Sequence, residues 1–253
     1  MSMRARLAGL MALLCLAGPA AHAGDGAVPR CSFVHDEIMT AISNPPAGRE
    51  KEYHEFFEKV HLPEIVSRGI GFESAQRFRV LASVGSTPWN YLSVYGLEQG
   101  NQIAQTGMKF RPGPAPVVAP APYLAEGSVA WILRRTSTGA DECSEKDKVF
   151  VVIPPPTGAE PDPGQILKAV PGLVSAQRYE FVKSTKGPAP SWKAISVFRA
   201  REDADVPAML QRLAAQVGCS KGVCAESSGA VWALEPMGGY ITRADLPEDQ
   251  ERP

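Results

Sequence analysis

Residues 71–80 read GFESAQRFRV, and residues 172–181 read GLVSAQRYEF. The two runs share Ser-Ala-Gln-Arg followed by an aromatic residue, Phe78 in one and Tyr179 in the other. A second matched pair follows, WNYLSVY at 89–95 and WKAISVF at 192–198. The offset is 101 residues for the first pair and 103 for the second, so the later copy carries two extra residues between its runs. An insertion placed between two patterned segments marks a loop. The chain therefore reads as two diverged copies of one unit.

The elements of the unit follow by working outward from these runs. In 74–80, Ala75, Arg77 and Arg79 alternate with Ser74, Gln76, Phe78 and Val80, which predicts a half-buried strand. Residues 89–97, rich in aromatic and β-branched side chains, pair with it as a hairpin turned at 85–88. Upstream, 33–43 carries Val34, Ile38, Met39 and Ile42 and stops at Asn44-Pro45-Pro46, a first strand ended by a proline turn. Between them, Tyr53, Phe56, Phe57 and Val60 recur at helical spacing through 49–66, and Pro63 is expected to end or kink this helix near His61 and Leu62. Residues 100–110 predict a short helix weakened by Gly107. Five prolines keep 111–122 irregular, and 129–135 reads as a fourth strand.

The second copy repeats this order: strand 149–153, proline-rich loop 154–163, helix 164–170, hairpin strands 175–182 and 192–200, helix 206–217, strand 230–235. Its first helix is degenerate, whereas 206–217 turns Met209, Leu210, Leu213 and Val217 inward. Gly238-Gly239 reads as a turn, and 245–253 as a polar disordered tail.

The predicted fold class is thus α+β: two tandem ferredoxin-like β-α-β-β-α-β units, 24–145 and 146–244. In that topology the sheet order is 4-1-3-2, so the end of strand four lies beside the start of strand one. Cys31 and Cys143 are then expected to bond, and Cys219 and Cys224 to close the turn before the last strand. Zinc is the competing reading of four cysteines, but C-x2-C spacing is missing.

The first 23 residues have the form of an export signal: Arg4 and Arg6, an apolar core over 7–16, and Ala21-His22-Ala23 as cleavage site. The expectation is an exported protein, periplasmic or secreted, with no membrane span. Removing Arg4 and Arg6 leaves 24 basic against 27 acidic residues, a net charge of −3. That balance offers no basic field for nucleic acid or anionic lipid.

The run EYHEFFEKVHLP at 52–63, followed by GFxSAxR at 71–77, resembles the dimeric α/β barrel superfamily, and EthD-like proteins within it. Those combine an aromatic first helix ending in His-x-Pro with a glycine-led second strand. The resemblance covers both copies in architecture and the His-x-Pro motif in the first alone. It implies that the two fused units pair through their sheets into an intramolecular barrel, giving a monomer. The activities it implies are wide: isomerases, cyclases, monooxygenases, haem enzymes and members without a known reaction.

His61 is the candidate catalytic residue, able to act as acid or base near neutral pH, with Phe57 and Tyr53 on roughly the same side. The competing reading is a helix-end cap, favoured as a cation by the dipole. His54, Glu58 and His61 also share a helical face at metal-ligand spacing, although such a face is more often solvated, and no metal or cofactor is assigned. Arg77 and Arg178 hold matching positions where they can grip a carboxylate or phenolate, or pair with acids such as Glu98 to fix the seam. Tyr91 and Tyr95 make an aromatic wall that suits a flat ligand or a core equally.

Two functions follow. One is acid/base transformation or binding of a small organic molecule, aromatic ones included, in one pocket of the N-terminal unit, as an isomerase, cyclase, lyase or monooxygenase-like protein. Its residues are His61 with Tyr53, Phe57, Arg77, Tyr91 and Tyr95. The other is a non-catalytic binding or structural module of the cell envelope.

Overall fold

The fold comes from a computed structural model that describes residues 30–246 apart from 86, 88, 114–127, 139–142, 156–159, 161 and 220–228. The leader 1–23, Cys224 and residues 247–253 lie outside the described residues. Eight strands form a closed barrel: β1 Glu37–Ser43, β2 Phe72–Val84, β3 Tyr91–Leu97, β4 Val129–Thr138, β5 Lys148–Ile153, β6 Leu173–Lys186, β7 Ala194–Ala200 and β8 Ala230–Thr242. The order around it is β1-β3-β2-β8-β5-β7-β6-β4, and all neighbours are antiparallel. The first four strands are contiguous as β4-β1-β3-β2, the last four as β8-β5-β7-β6, and β2·β8 and β4·β6 join them. Closure leaves no strand edge free for pairing with another chain.

Alternation along the strands sends one set of side chains inward. Ile38, Phe78, Leu92, Val94, Val149, Val151, Tyr179, Ile195, Val197 and Leu234 fill the barrel. Trp131 lies edge-on to Trp89 at 5.9 Å and to Trp192 at 5.3 Å, closing one end with aromatic area. The other set lies beneath helices: α1 Glu50–Phe56, α2 Leu62–Arg68, α3 Ile103–Thr106, α4 Pro163–Ala169 and α5 Val206–Gln216. Strand β2 is therefore not half-buried as its alternation suggests. Ser74 through Phe78 are all buried, because helices cover the face that would otherwise meet solvent.

Several boundaries differ from the sequence expectation. The first strand begins at Glu37 rather than 33, since 31–36 crosses the barrel end as a strap. The first helix does not end at Pro63. A π-helical turn, Phe57–His61, joins α1 to α2, and Pro63 falls in the first turn of α2, where its missing N–H costs least. The helix at 100–110 shrinks to α3, stopped by Gly107 at φ 77°. The last strand runs on to Thr242, so Gly238 and Gly239 are a bulge inside β8 rather than a turn. Asp245 is not in a loose tail: it accepts hydrogen bonds from Thr242 and pairs with Arg30 at 2.9 Å.

A disulfide joins Cys31 and Cys143, with Cα atoms 6.2 Å apart. Cys219 is disulfide-bonded as well.

The halves differ reciprocally in their helices. The first half has helical structure from Glu50 to Arg68 but only the four residues of α3, whereas the second has seven-residue α4 and eleven-residue α5. Asp162 and Asp205 cap α4 and α5, accepting from the N–H groups of Gln165 and Ala208. Helix α5 packs over the β2·β8 seam and β5. Its counterpart α3 is too short to cover the β4·β6 seam and β1 in the same way, and that part of the outer surface becomes a cavity.

Candidate functional site

The cavity measures about 520 Å³ and lies between the first helical stretch and the outer face of the barrel. Its walls are Met39, Ala41, Ile42 and Ser43 of β1, Tyr95 of β3 and Ile103 of α3. Across from these stand Tyr53, Phe57, His61 and Ile65. The floor is completed by 128–130 at the start of β4 and by 183–186 at the end of β6. A volume of this size suits a small organic ligand, and its wall is mostly apolar with a few polar groups.

The helix reaches this position because its aromatic residues pack onto the sheet. Tyr53 is fully buried, stacks 4.5 Å from Phe57, and its hydroxyl meets Ser43 Oγ. Phe57 in turn lies 4.9 Å from the His61 ring, and Phe56 stacks on the other side at 5.9 Å. Burial, with a smaller push from the Arg77 cation, lowers the pKa of His61 to about 4. The imidazole is thus neutral in ordinary buffers, and its Nδ1 is buried without a hydrogen-bond partner among the described residues. Neutrality and a mid-helix position both contradict the cationic helix-end cap.

Four sequence candidates line the cavity: Tyr53, Phe57, His61 and Tyr95. Arg77 and Tyr91 do not; they form a layer behind the wall. The Arg77 guanidinium carbon sits 4.9 Å from the Tyr53 and Phe57 ring centroids and 5.1 Å from that of Tyr91. Burial lowers its pKa, and both Nη atoms lack a hydrogen-bond partner among the described residues. Arg77 and Arg178 face outward, under the helices, rather than into the barrel. Glu98 pairs with Arg243 at 3.0 Å, and Arg178 pairs with Glu160 and with Glu180. Burial also pushes the phenols of Tyr53 and Tyr95 up, so both remain protonated donors.

The π-helical turn changes the phase of the face that would bring His54, Glu58 and His61 together. His54 turns to Tyr91, with rings 4.7 Å apart, whereas His61 turns to Phe56 and Phe57. Among the described residues no three His, Cys, Asp or Glu side chains are grouped to hold a metal ion.

The cavity is not confined to the N-terminal half. Lys183, Ser184, Thr185 and Lys186 enter it from β6, across the β4·β6 seam. Nothing local in 183–186 signals this role. The readable hint was Gly107, which weakens the predicted 100–110 helix, whereas 206–217 has no such interruption.

No family model and no curated protein matches this sequence. Among solved structures it is similar to an anthrone oxidase-like protein, at TM-score 0.45 and 12% identity over 84% of this chain and 95% of that one. It is also similar to candidate monooxygenases from Fusobacterium nucleatum, at TM-score 0.40 and 9% identity over 83% and 96%, and from Lactobacillus acidophilus, at 0.36 and 9% over 83% and 97%.

Proposed function

We propose that this chain is an exported, monomeric protein of two tandem ferredoxin-like units, EthD-like in its first half, which binds a small organic molecule in the cavity beneath its first helices. The observation that carries the reading is the cavity where α3 fails to cover the barrel, with neutral His61 and Tyr53 in a wall that is largely apolar on the side of the first helices. Apolar side chains supply affinity through burial, and His61 and Tyr53 orient the ligand by hydrogen bonding. Export is supported by the apolar leader and by the Cys31–Cys143 bond. A monomer is supported by closure of the barrel with strands of one chain.

A second reading, transformation of the ligand, is favoured by the neutral imidazole of His61 in the cavity wall, whose Nδ1 is buried without a hydrogen-bond partner among the described residues. With a pKa of about 4 the imidazole is a weak base at neutral pH, so proton transfer needs a ligand that stabilises the imidazolium. Native mass spectrometry of the purified chain, repeated on Ala41→Phe and His61→Ala, tests both readings. Ala41→Phe fills the cavity and is expected to abolish binding of whatever the wild type retains or takes up. His61→Ala is expected to keep binding with loss of any turnover. Binding that is indifferent to Ala41→Phe refutes the cavity as the site.

A further inference from the structure

The wall of the cavity carries a charge pattern that size and shape do not explain. Lys183 and Lys186 lie in it, both exposed at the end of β6, and among the described lining residues there is no Asp or Glu. Lys183 Nζ donates to the Ala104 carbonyl of α3 at 2.6 Å, which fixes one cation across the rim. The remaining titratable wall groups are neutral: His61 by burial, and Tyr53 and Tyr95 because their phenols are pushed up. Behind the aromatic layer the Arg77 guanidinium adds positive potential through the Tyr53 and Phe57 rings. Two wall residues, His61 and Ser128, also each carry a polar atom, Nδ1 and Oγ, that is buried without a partner among the described residues.

We propose that the ligand is an amphiphilic organic anion, a carboxylate, sulfonate or phenolate on an apolar body. The body lies against Phe57, Ile65, Tyr95 and Ile103, and the anionic group lies at the Lys183–Lys186 rim. This rests on the reading of the cavity as a ligand site and names the ligand's class. The apolar body supplies most of the affinity, because each exposed charge pair is worth only roughly two- to fivefold. Two lysines then give roughly a tenfold preference for the anion, a preference that falls with ionic strength.

Two fluorescent probes isolate the charge. 8-Anilinonaphthalene-1-sulfonate and N-phenyl-1-naphthylamine share one apolar body and differ by the sulfonate. Titrated into the full folded chain in dilute buffer, the sulfonate is expected to bind roughly tenfold more tightly, with most of that advantage gone at about 0.5 M salt. Lys183→Gln with Lys186→Gln is expected to remove the advantage and leave the neutral probe unchanged. Equal binding of the two probes, or a sulfonate advantage that survives the double substitution, overturns the anion assignment while the cavity stands. If neither probe binds, or if Ala41→Phe leaves both unaffected, the ligand-site reading fails with it.

Discussion

Gly96 and Arg199 hold the same place in the two halves of the barrel. Gly96 lies opposite Ile38 in the β1·β3 pair, Arg199 opposite Val149 in the β5·β7 pair, and Ile38 and Val149 both point into the barrel core. A Cβ at Gly96 would overlap His35 Nε2 and Ser74 Oγ. The strap from Cys31 fills that space in the first half: His35 bonds Ser74 at 2.9 Å and Tyr240 at 3.1 Å, and Gln76 takes Ser32. In the second half Arg199 stands in the corresponding space, and Ser175 and Gln177, the counterparts of Ser74 and Gln76, have unpartnered side chains among the described residues.

Gly96→Ala is therefore expected to cost about 1–3 kcal/mol through overpacking. In a His35→Ala background the same change should cost much less, because the displaced ring is gone. Urea melts of the four proteins in this cycle measure it, and an additive result would sink the explanation.

Arg199 is 1% exposed, and burial lowers its pKa to about 10. Its Nε and Nη2 lack hydrogen-bond partners among the described residues, whereas Asp147, the nearby buried acid, keeps the bond from Ser144 N–H. Replacing such a cation with an apolar side chain of similar length is expected to stabilise by about 1–3 kcal/mol. Arg199→Met should thus raise the denaturant midpoint. A clear fall in that midpoint would mean that the guanidinium is well paired inside the barrel.

His61 ties stability to pH. Its folded pKa of about 4 lies below the unfolded value of about 6.5, so the unfolded chain binds more protons between the two. Its contribution is present above about pH 6.5 and is lost as pH falls towards 4, a change on the order of 2–3 kcal/mol. His35, also lowered by burial, acts in the same direction. The test is the difference between wild type and His61→Asn, measured at pH 7 and at pH 4.5. The wild type should lose more stability over that interval, and parallel losses would show that His61 titrates freely.

The Cys31–Cys143 bond spans 112 residues of sequence. Closing a loop of that length restricts the unfolded chain by about 4–5 kcal/mol at the loop-entropy limit. Cys31→Ser with Cys143→Ser should lower stability by a few kcal/mol and loosen the strap that carries Ser32 and His35. Amide exchange is then expected to accelerate first in 31–36. Uniform acceleration across the barrel would separate the bond from that local role.

Much of the frame was legible because it depends on local chemistry. The matched SAQR runs at 74–77 and 175–178 fall on β2 and β6, and apolar and β-branched content, turn signals and the matched order of the two copies located every strand to within a few residues at one end or both. The pairing of Cys31 with Cys143 followed from strand order. Failures occurred where distant contacts override local preference. Of the two outcomes expected at Pro63, an end or a kink near His61 and Leu62, the end did not occur: the helix is interrupted by the π-helical turn Phe57–His61, and the packing of Tyr53, Leu62, Ile65 and Val66 holds both sides of it on the barrel. Gly238-Gly239 did not turn the chain, because β2 pairs along β8 on both sides of the bulge.

The sequence by itself determined the two matched strand runs, the aromatic helix and the candidates Tyr53, Phe57, His61 and Tyr95, since periodicity and residue type are local properties. Only the tertiary structure decided what surrounds them. Barrel closure brings 183–186 to the short α3 and the first helix, and burial makes His61 neutral. Both depend on the surface that packing removes from water, and no window of sequence contains that surface.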